Sequence, residues 1–218
     1  MSRSAKTSPY RQILIDIDTQ SHFFSHHSSV CIRNPRGILE NVRKVMRWAQ
    51  LHHIPTISTL QVHPNHSSDL AIPNTYRLSL CKPTCTVCRN HLLLPAVDTM
   101  DWSIDTWDRY DQIIIQKRCF DPFEEPRADR ILTELPVEEC ILIGTPLEGA
   151  VKATALGLLV RHKRITLVTN AVGSLDRGAA QRMLNLMGAK GVRLIKAEAL
   201  IGGQIPPPTM PFKKSRLS

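Results

Sequence analysis

Two charged residues close short β-branched runs. Asp18 follows QILIDI, Lys117 ends QIIIQK, and a third such run, CILIG, opens into the turn Gly144-Thr145-Pro146-Leu147-Glu148-Gly149-Ala150. A carboxylate and an ammonium brought together can move a proton and hold an anion, and a turn leading into a helix adds free N–H groups that favour negative charge. If the three runs are parallel strands, their carboxyl ends share one edge of a sheet. The same residues serve equally as a turn acid and a solvated strand end, because charge at strand ends is common. Periodicity alone does not choose between these readings.

The elements that must position these residues are legible in the apolar pattern. Strands are expected at 12–17, 56–62, 112–117, 140–144, 165–169 and 192–195, and helices from Pro35 to about His53 and over 128–135, 148–162 and 175–188. In the first helix Ile38, Leu39, Val42, Val45, Met46 and Ala49 recur at three- and four-residue spacings, with Pro35 in its first turn. Alternating strands and helices, with strands apolar enough to be covered on both faces, predict a three-layer α/β/α sandwich around a mostly parallel sheet. Ligands in such sheets sit beyond the carboxyl ends of the strands. The chain divides into a basic arm (1–11), one domain (12–203) and a Pro-rich basic tail (204–218) expected to be disordered. Residues 64–109 show no sustained period, which is long for a structureless connection and suggests function or a local staple.

The 218 residues, 42% of them hydrophobic, suffice for one packed core. The net charge of +9 hints at an acidic partner, but Arg3, Lys6, Arg11, Lys213, Lys214 and Arg216 carry six of those charges at the chain ends. With 5% aromatic residues and no basic helix interleaved with stacking rings, dedicated nucleic-acid binding is not expected. No apolar run approaches the roughly 20 residues a membrane span needs, and no secretory apolar segment follows the N-terminus, so a soluble cytoplasmic protein is expected. Its six cysteines are then not expected to form a disulfide framework.

Spacing adds a resemblance. The sequence resembles the isochorismatase-like (cysteine hydrolase) superfamily, which includes isochorismatases, nicotinamidases and N-carbamoyl amidohydrolases. Its opening motif Asp-x-Gln-x-x-Phe is matched by Asp18, Gln20 and Phe23. Its lysine followed six residues later by phenylalanine is matched by Lys117 and Phe123. Its glycine followed after six residues by Cys-Val-x-x-Thr-Ala is matched by Gly144 and Ala150-Val151-Lys152-Ala153-Thr154-Ala155, and its later Asp-Ala by Asn170-Ala171. The resemblance implies an α/β/α sandwich, a cis peptide before Pro146, and a substrate pocket formed by Gln20, Phe23, Thr145, Pro146 and Gly149 around Asp18 and Lys117. It also implies a homo-oligomer.

Ala150 departs from the pattern, since it stands where the amidase branch carries its nucleophilic thiol. A methyl group cannot attack a carbonyl. Cys140 begins a strand and Cys119 lies on a different loop, so neither fits the lost role on sequence. Two readings follow. In one, Asp18 protonates a small carboxylated substrate and water completes the hydrolysis, as in isochorismatases with glycine at the cysteine position, and no catalytic cofactor is needed. Burial and a nearby carboxylate would favour a protonated acid, and Asp16, two residues back along the strand, is expected on the same face. In the other, the domain is catalytically silent and binds a small anion or a protein partner.

A separate cluster lies in the long loop. Cys81, Cys85, Cys88 and His91 can supply the four ligands of a structural zinc, with His63 or His66 as alternative ligands. Free cysteines are the competing reading. At the catalytic metal position of nicotinamidases, Gln61 replaces an aspartate, so a metal is not expected there.

Overall fold

The computed structural model describes residues 11–62, 90–99, 101–103, 106 and 109–203. The loop residues 63–89, nearly all of the basic arm and the tail from 204 lie outside the described residues. So do Cys81, Cys85, Cys88, His63 and His66 of the expected zinc cluster.

The strands are β1 (Gln12–Ile17), β2 (Thr56–Gln61), β3 (His91–Leu94), β4 (Gln112–Lys117), β5 (Glu139–Gly144), β6 (Arg164–Val172) and β7 (Arg193–Ile195). They form one seven-stranded sheet in the order β3-β4-β2-β1-β5-β6-β7. Every pairing among them is parallel. The central strands are buried along nearly their whole length, as a parallel sheet covered on both faces requires.

Helices α3 (Pro126–Thr133), α4 (Lys152–Val160) and α5 (Arg177–Ala189) cover one face. Ala128, Ile131, Leu132, Leu158 and Met187 pack there against the isoleucines at 13, 15, 17, 57, 113 and 115. The other face carries α1 (Ser21–Phe24), α2 (Pro35–Leu51) and α6 (Ala197–Ile201), with Val42, Val45, Met46 and Leu200 against Leu14, Ile141 and Ile143. The expected α/β/α sandwich is the observed one. Pro35 does open α2, behind a left-handed Asn34 whose side chain accepts the Gly37 N–H.

Four local expectations need correction. Residues 64–109 contain an edge strand, β3, whose HLLL is too short to reveal a period and alternates only between exposed and half-buried positions. The helix expected over 148–162 is a π-helical turn, Leu147–Val151, followed by α4, because Gly149 leaves the helical region (φ −111°, ψ −107°). The strand expected to end at 169 continues to Val172. The five-residue α6 was not foreseen; Asn170, at the family's aspartate position, accepts its Ala197 N–H at 2.8 Å.

Chain order along the sheet reverses at β1, which has β2 on one side and β5 on the other. The crevice beyond the carboxyl ends of β1 and β5 is therefore the switch point at which such folds place ligands.

Candidate functional site

Register brings the charged residues to this crevice. Ile17 is level with Thr59 on β2 and with Gly144 on β5, and Gln61 is level with Lys117. Asp18 is one residue past the strand and adopts a left-handed backbone (φ 47°), a conformation Asp tolerates better than most residues. That turn swings its side chain to the face on which Thr59 and Lys117 stand. Lys117 Nζ donates to Asp18 Oδ2 at 2.7 Å, and Thr59 Oγ1 donates to Oδ1 at 2.6 Å. The ion pair is completely buried on both sides.

Lys117 has two further acceptors, the carbonyls of Cys119 at 2.9 Å and Phe120 at 3.2 Å. The ammonium therefore donates to one carboxylate and two peptide oxygens, as a buried cation must if desolvation is to be offset. The loop carrying these carbonyls is pinned by Arg118, whose Nε and Nη2 clasp the buried Glu125 carboxylate at 3.0 and 2.9 Å.

Asp16 is not the neighbour of Asp18 that strand alternation implies. Its carboxylate accepts from Ser58 at 3.2 Å and from Thr19, whereas Asp18 bonds Thr59. Ser58 and Thr59 are adjacent strand residues and point to opposite faces. The left-handed turn at Asp18 breaks the two-residue period, so the two acids face different layers.

The third component is the turn after β5. Gly144 has φ +120°, and a Cβ there would lie 2.0 Å from the Ile17 carbonyl oxygen, so a side chain is excluded by both conformation and space. Thr145 is fully buried; its N–H donates to Ile17 O at 2.7 Å and its hydroxyl to Asp18 O at 2.8 Å. The Thr145–Pro146 peptide is cis. The turn is closed by Leu147 N–H on Gly173 O at 2.7 Å. Ala150 is buried with Leu147 and Val151 in the core beneath it.

The remaining candidates are placed differently. The Gln20 amide grips the Gln61 backbone, donating to its carbonyl at 3.1 Å and accepting its N–H at 2.9 Å. Phe23 is buried in the opposite layer with Ile32, Val42 and Met46, away from the charged pair. His91 opens β3 as an exposed residue. Among the described residues no group of three or more His, Cys, Asp or Glu side chains is placed to hold a metal.

A cavity of about 490 Å³ adjoins this assembly, lined by Cys119, Phe120, Asp121 and Glu124 on one side and by Gly149 and Lys152 on the other. In the sequence Cys119 sits on another loop from the turn ending at Ala150. The fold nevertheless brings it to the same cavity as Gly149. Only the long-range packing of the 118–124 loop against α4 reveals this, and no spacing rule signals it.

The family model for the isochorismatase domain matches residues 93–199. Comparison with curated proteins gives no match. Solved structures resemble the fold over most of the chain. An isochorismatase-like hydrolase from Alkaliphilus metalliredigens superposes with a TM-score of 0.68 at 14% identity, covering 90% of this chain and 100% of its own. A pyrazinamidase of Pyrococcus horikoshii, determined in complex with zinc, gives 0.67 at 18% identity, covering 86% and 99%. The MAR1 ribonuclease from Caenorhabditis elegans gives 0.60 at 22% identity, covering 91% and 83%. No helix among the described residues is long and apolar enough to cross a membrane. The domain match over residues 93–199, the parallel sheet and the superpositions agree, and the chain has the isochorismatase-like fold.

Proposed function

We propose that the protein is a hydrolase without a cysteine nucleophile, which cleaves a small carboxylated substrate by proton transfer from Asp18. The observation that carries this reading is the 2.7 Å contact between Lys117 Nζ and Asp18 Oδ2 at the switch point of the sheet. A buried acid and amine in mutual contact can pass one proton between them and to a bound substrate. Thr59 and Thr145 fix the acid by its side chain and its carbonyl. Lys117 has its three donors on Asp18 and two peptide carbonyls, so it acts on the substrate's carboxylate through its positive charge alone. Water then attacks the carbon activated by protonation, so no covalent intermediate on Ala150 is required and no catalytic cofactor enters.

One observation favours a second reading, that of a silent domain binding a small anion or a protein partner: both charged side chains are wholly buried. A screen across vinyl ethers, amides, carbamoyl compounds and a short RNA separates the two. Turnover by the wild type that Asp18→Asn abolishes supports the acid-assisted hydrolase. Amide turnover gained only in Ala150→Cys supports a silent domain descended from an amidase. Absence of turnover in every form, with small-anion binding retained, also supports the silent domain.

The proposal extends to a structural zinc bound by Cys81, Cys85, Cys88 and His91, with His63 or His66 as alternatives, and to a cytoplasmic homo-oligomer. The zinc rests on the donor set, since three thiols and an imidazole within one short segment match a tetrahedral site. Metal analysis of the purified protein tests it, and sedimentation tests assembly.

A further inference from the structure

The cavity beside the charged pair contains a thiol, a carboxylate and an ammonium that the proposed reaction does not use. Glu124 lines the cavity together with the Cys119 thiol. Lys152 stands across the cavity in the first turn of α4, half-buried, and among the described residues no carboxylate pairs with it. The Phe120 ring, 56% exposed, adds a flat apolar wall between them. The Asp121 carboxylate is occupied locally, accepting the Phe123 N–H at 2.9 Å. A cation without a protein counter-ion, an aromatic wall and a thiol with an adjacent base together describe a receptor for a small aromatic anion bearing an acyl group.

We propose that Cys119 accepts the acyl group of a small, anionic aryl ester bound in this cavity, with Glu124 as the base and Lys152 as the anchor for the negative charge. The thiol sulfur attacks the ester carbonyl carbon while its proton passes to Glu124, and the carbonyl π pair moves onto oxygen. That pair then re-forms the C=O bond as the aryl oxygen leaves, taking the proton from Glu124. Water cleaves the resulting thioester, releasing the carboxylic acid and restoring the thiol. Burial and the neighbouring Glu124 push the Cys119 thiol above its ordinary range, so it rests protonated and needs a base at the moment of attack.

This site is separate from the Asp18–Lys117 pair. Lys117 meets only the backbone carbonyls of Cys119 and Phe120, from the inner side of the loop. The inference goes beyond the proposed hydrolysis and does not depend on it.

The test uses acetylsalicylate as the anionic probe and phenyl acetate as the neutral one, with acetylation located by peptide mass mapping of the full-length chain. Cys119 should acquire one acetyl group, faster from the anionic probe, and Cys119→Ser should not yield the thioester. Glu124→Gln should slow acetylation by about 10²-fold, the low end of a general-base effect, with Glu124→Asp restoring part of the rate. Lys152→Ala should remove the preference for the anionic ester and leave the neutral one unaffected. Acetyl transfer is read at the thiol by mass and the proposed hydrolysis as vinyl-ether turnover, so the two outcomes are scored by separate measurements. Acetylation of Cys31 as fast as Cys119, a wild-type rate in Glu124→Gln, or equal rates for the two probes would each overturn the assignment.

Discussion

Thr59 grips Asp18 at two points: its hydroxyl donates to Oδ1 at 2.6 Å, and the same oxygen lies 3.2 Å from the Asp18 backbone N–H, which donates to it. One side chain on β2 thus fixes both the carboxylate and the left-handed turn that aims it. Thr59→Val keeps the shape and removes the donor, leaving a buried carboxylate short of one hydrogen bond. It should cost about 1–3 kcal/mol. Thr59→Ser should recover most of that loss, read as the denaturant midpoint at constant slope. Equal losses for Val and Ser would mean that packing, and not the hydroxyl, matters.

Breaking the buried ion pair should be more severe than losing its neighbour. Asp18→Asn or Lys117→Met alone leaves an uncompensated buried charge and should destabilise by about 3–5 kcal/mol. The double substitution should cost well under the sum of the two, because neither charge is then stranded. Additive losses in a double-mutant cycle would show that the 2.7 Å contact carries no coupling.

At Gly144 the backbone itself is the constraint. With φ +120° and only 2.0 Å from a would-be Cβ to Ile17 O, Gly144→Ala must displace the β1–β5 pairing that sets Asp18 beside Thr145. The loss should exceed the ~1 kcal/mol typical of a tolerated glycine exchange. Thermal unfolding measures it, and an unchanged midpoint would contradict the close approach.

Cys140 offers a prediction in pH. Burial pushes its thiol from near 9 up to about 12, opposed by the Lys163 charge and aided to a lesser degree by Glu139. The folded protein therefore keeps this proton through a range where the unfolded chain releases it. The contribution is fully present below about pH 9 and is lost as pH rises toward 12, at about 1.4 kcal/mol per pH unit. Cys140→Ala should flatten that part of the stability profile relative to wild type. An identical slope in both proteins would refute the assignment.

Much of the fold was legible because its strands are buried on both faces. Runs such as QIIIQK and CILIG can only be central parallel strands once helices alternate with them. β3 and α6 were not legible, since four- and five-residue elements carry no measurable period. The shared cavity of Cys119 and Gly149 was not legible for a different reason. The distance of Cys119 along the chain from the turn at 144–150 says nothing about a loop that folds back over Lys117.

The sequence by itself determined the layered architecture, the strand-end positions of Asp18 and Lys117, and the turn at Gly144, because these follow from apolar periodicity and from residue types with few conformational options. Tertiary structure alone decided which side chains meet. A single left-handed residue at Asp18 overrides the strand alternation that would have paired it with Asp16, turning it toward Thr59 and Lys117. Pairing of this kind depends on register between distant strands and on one backbone rotation, and neither is written in local pattern.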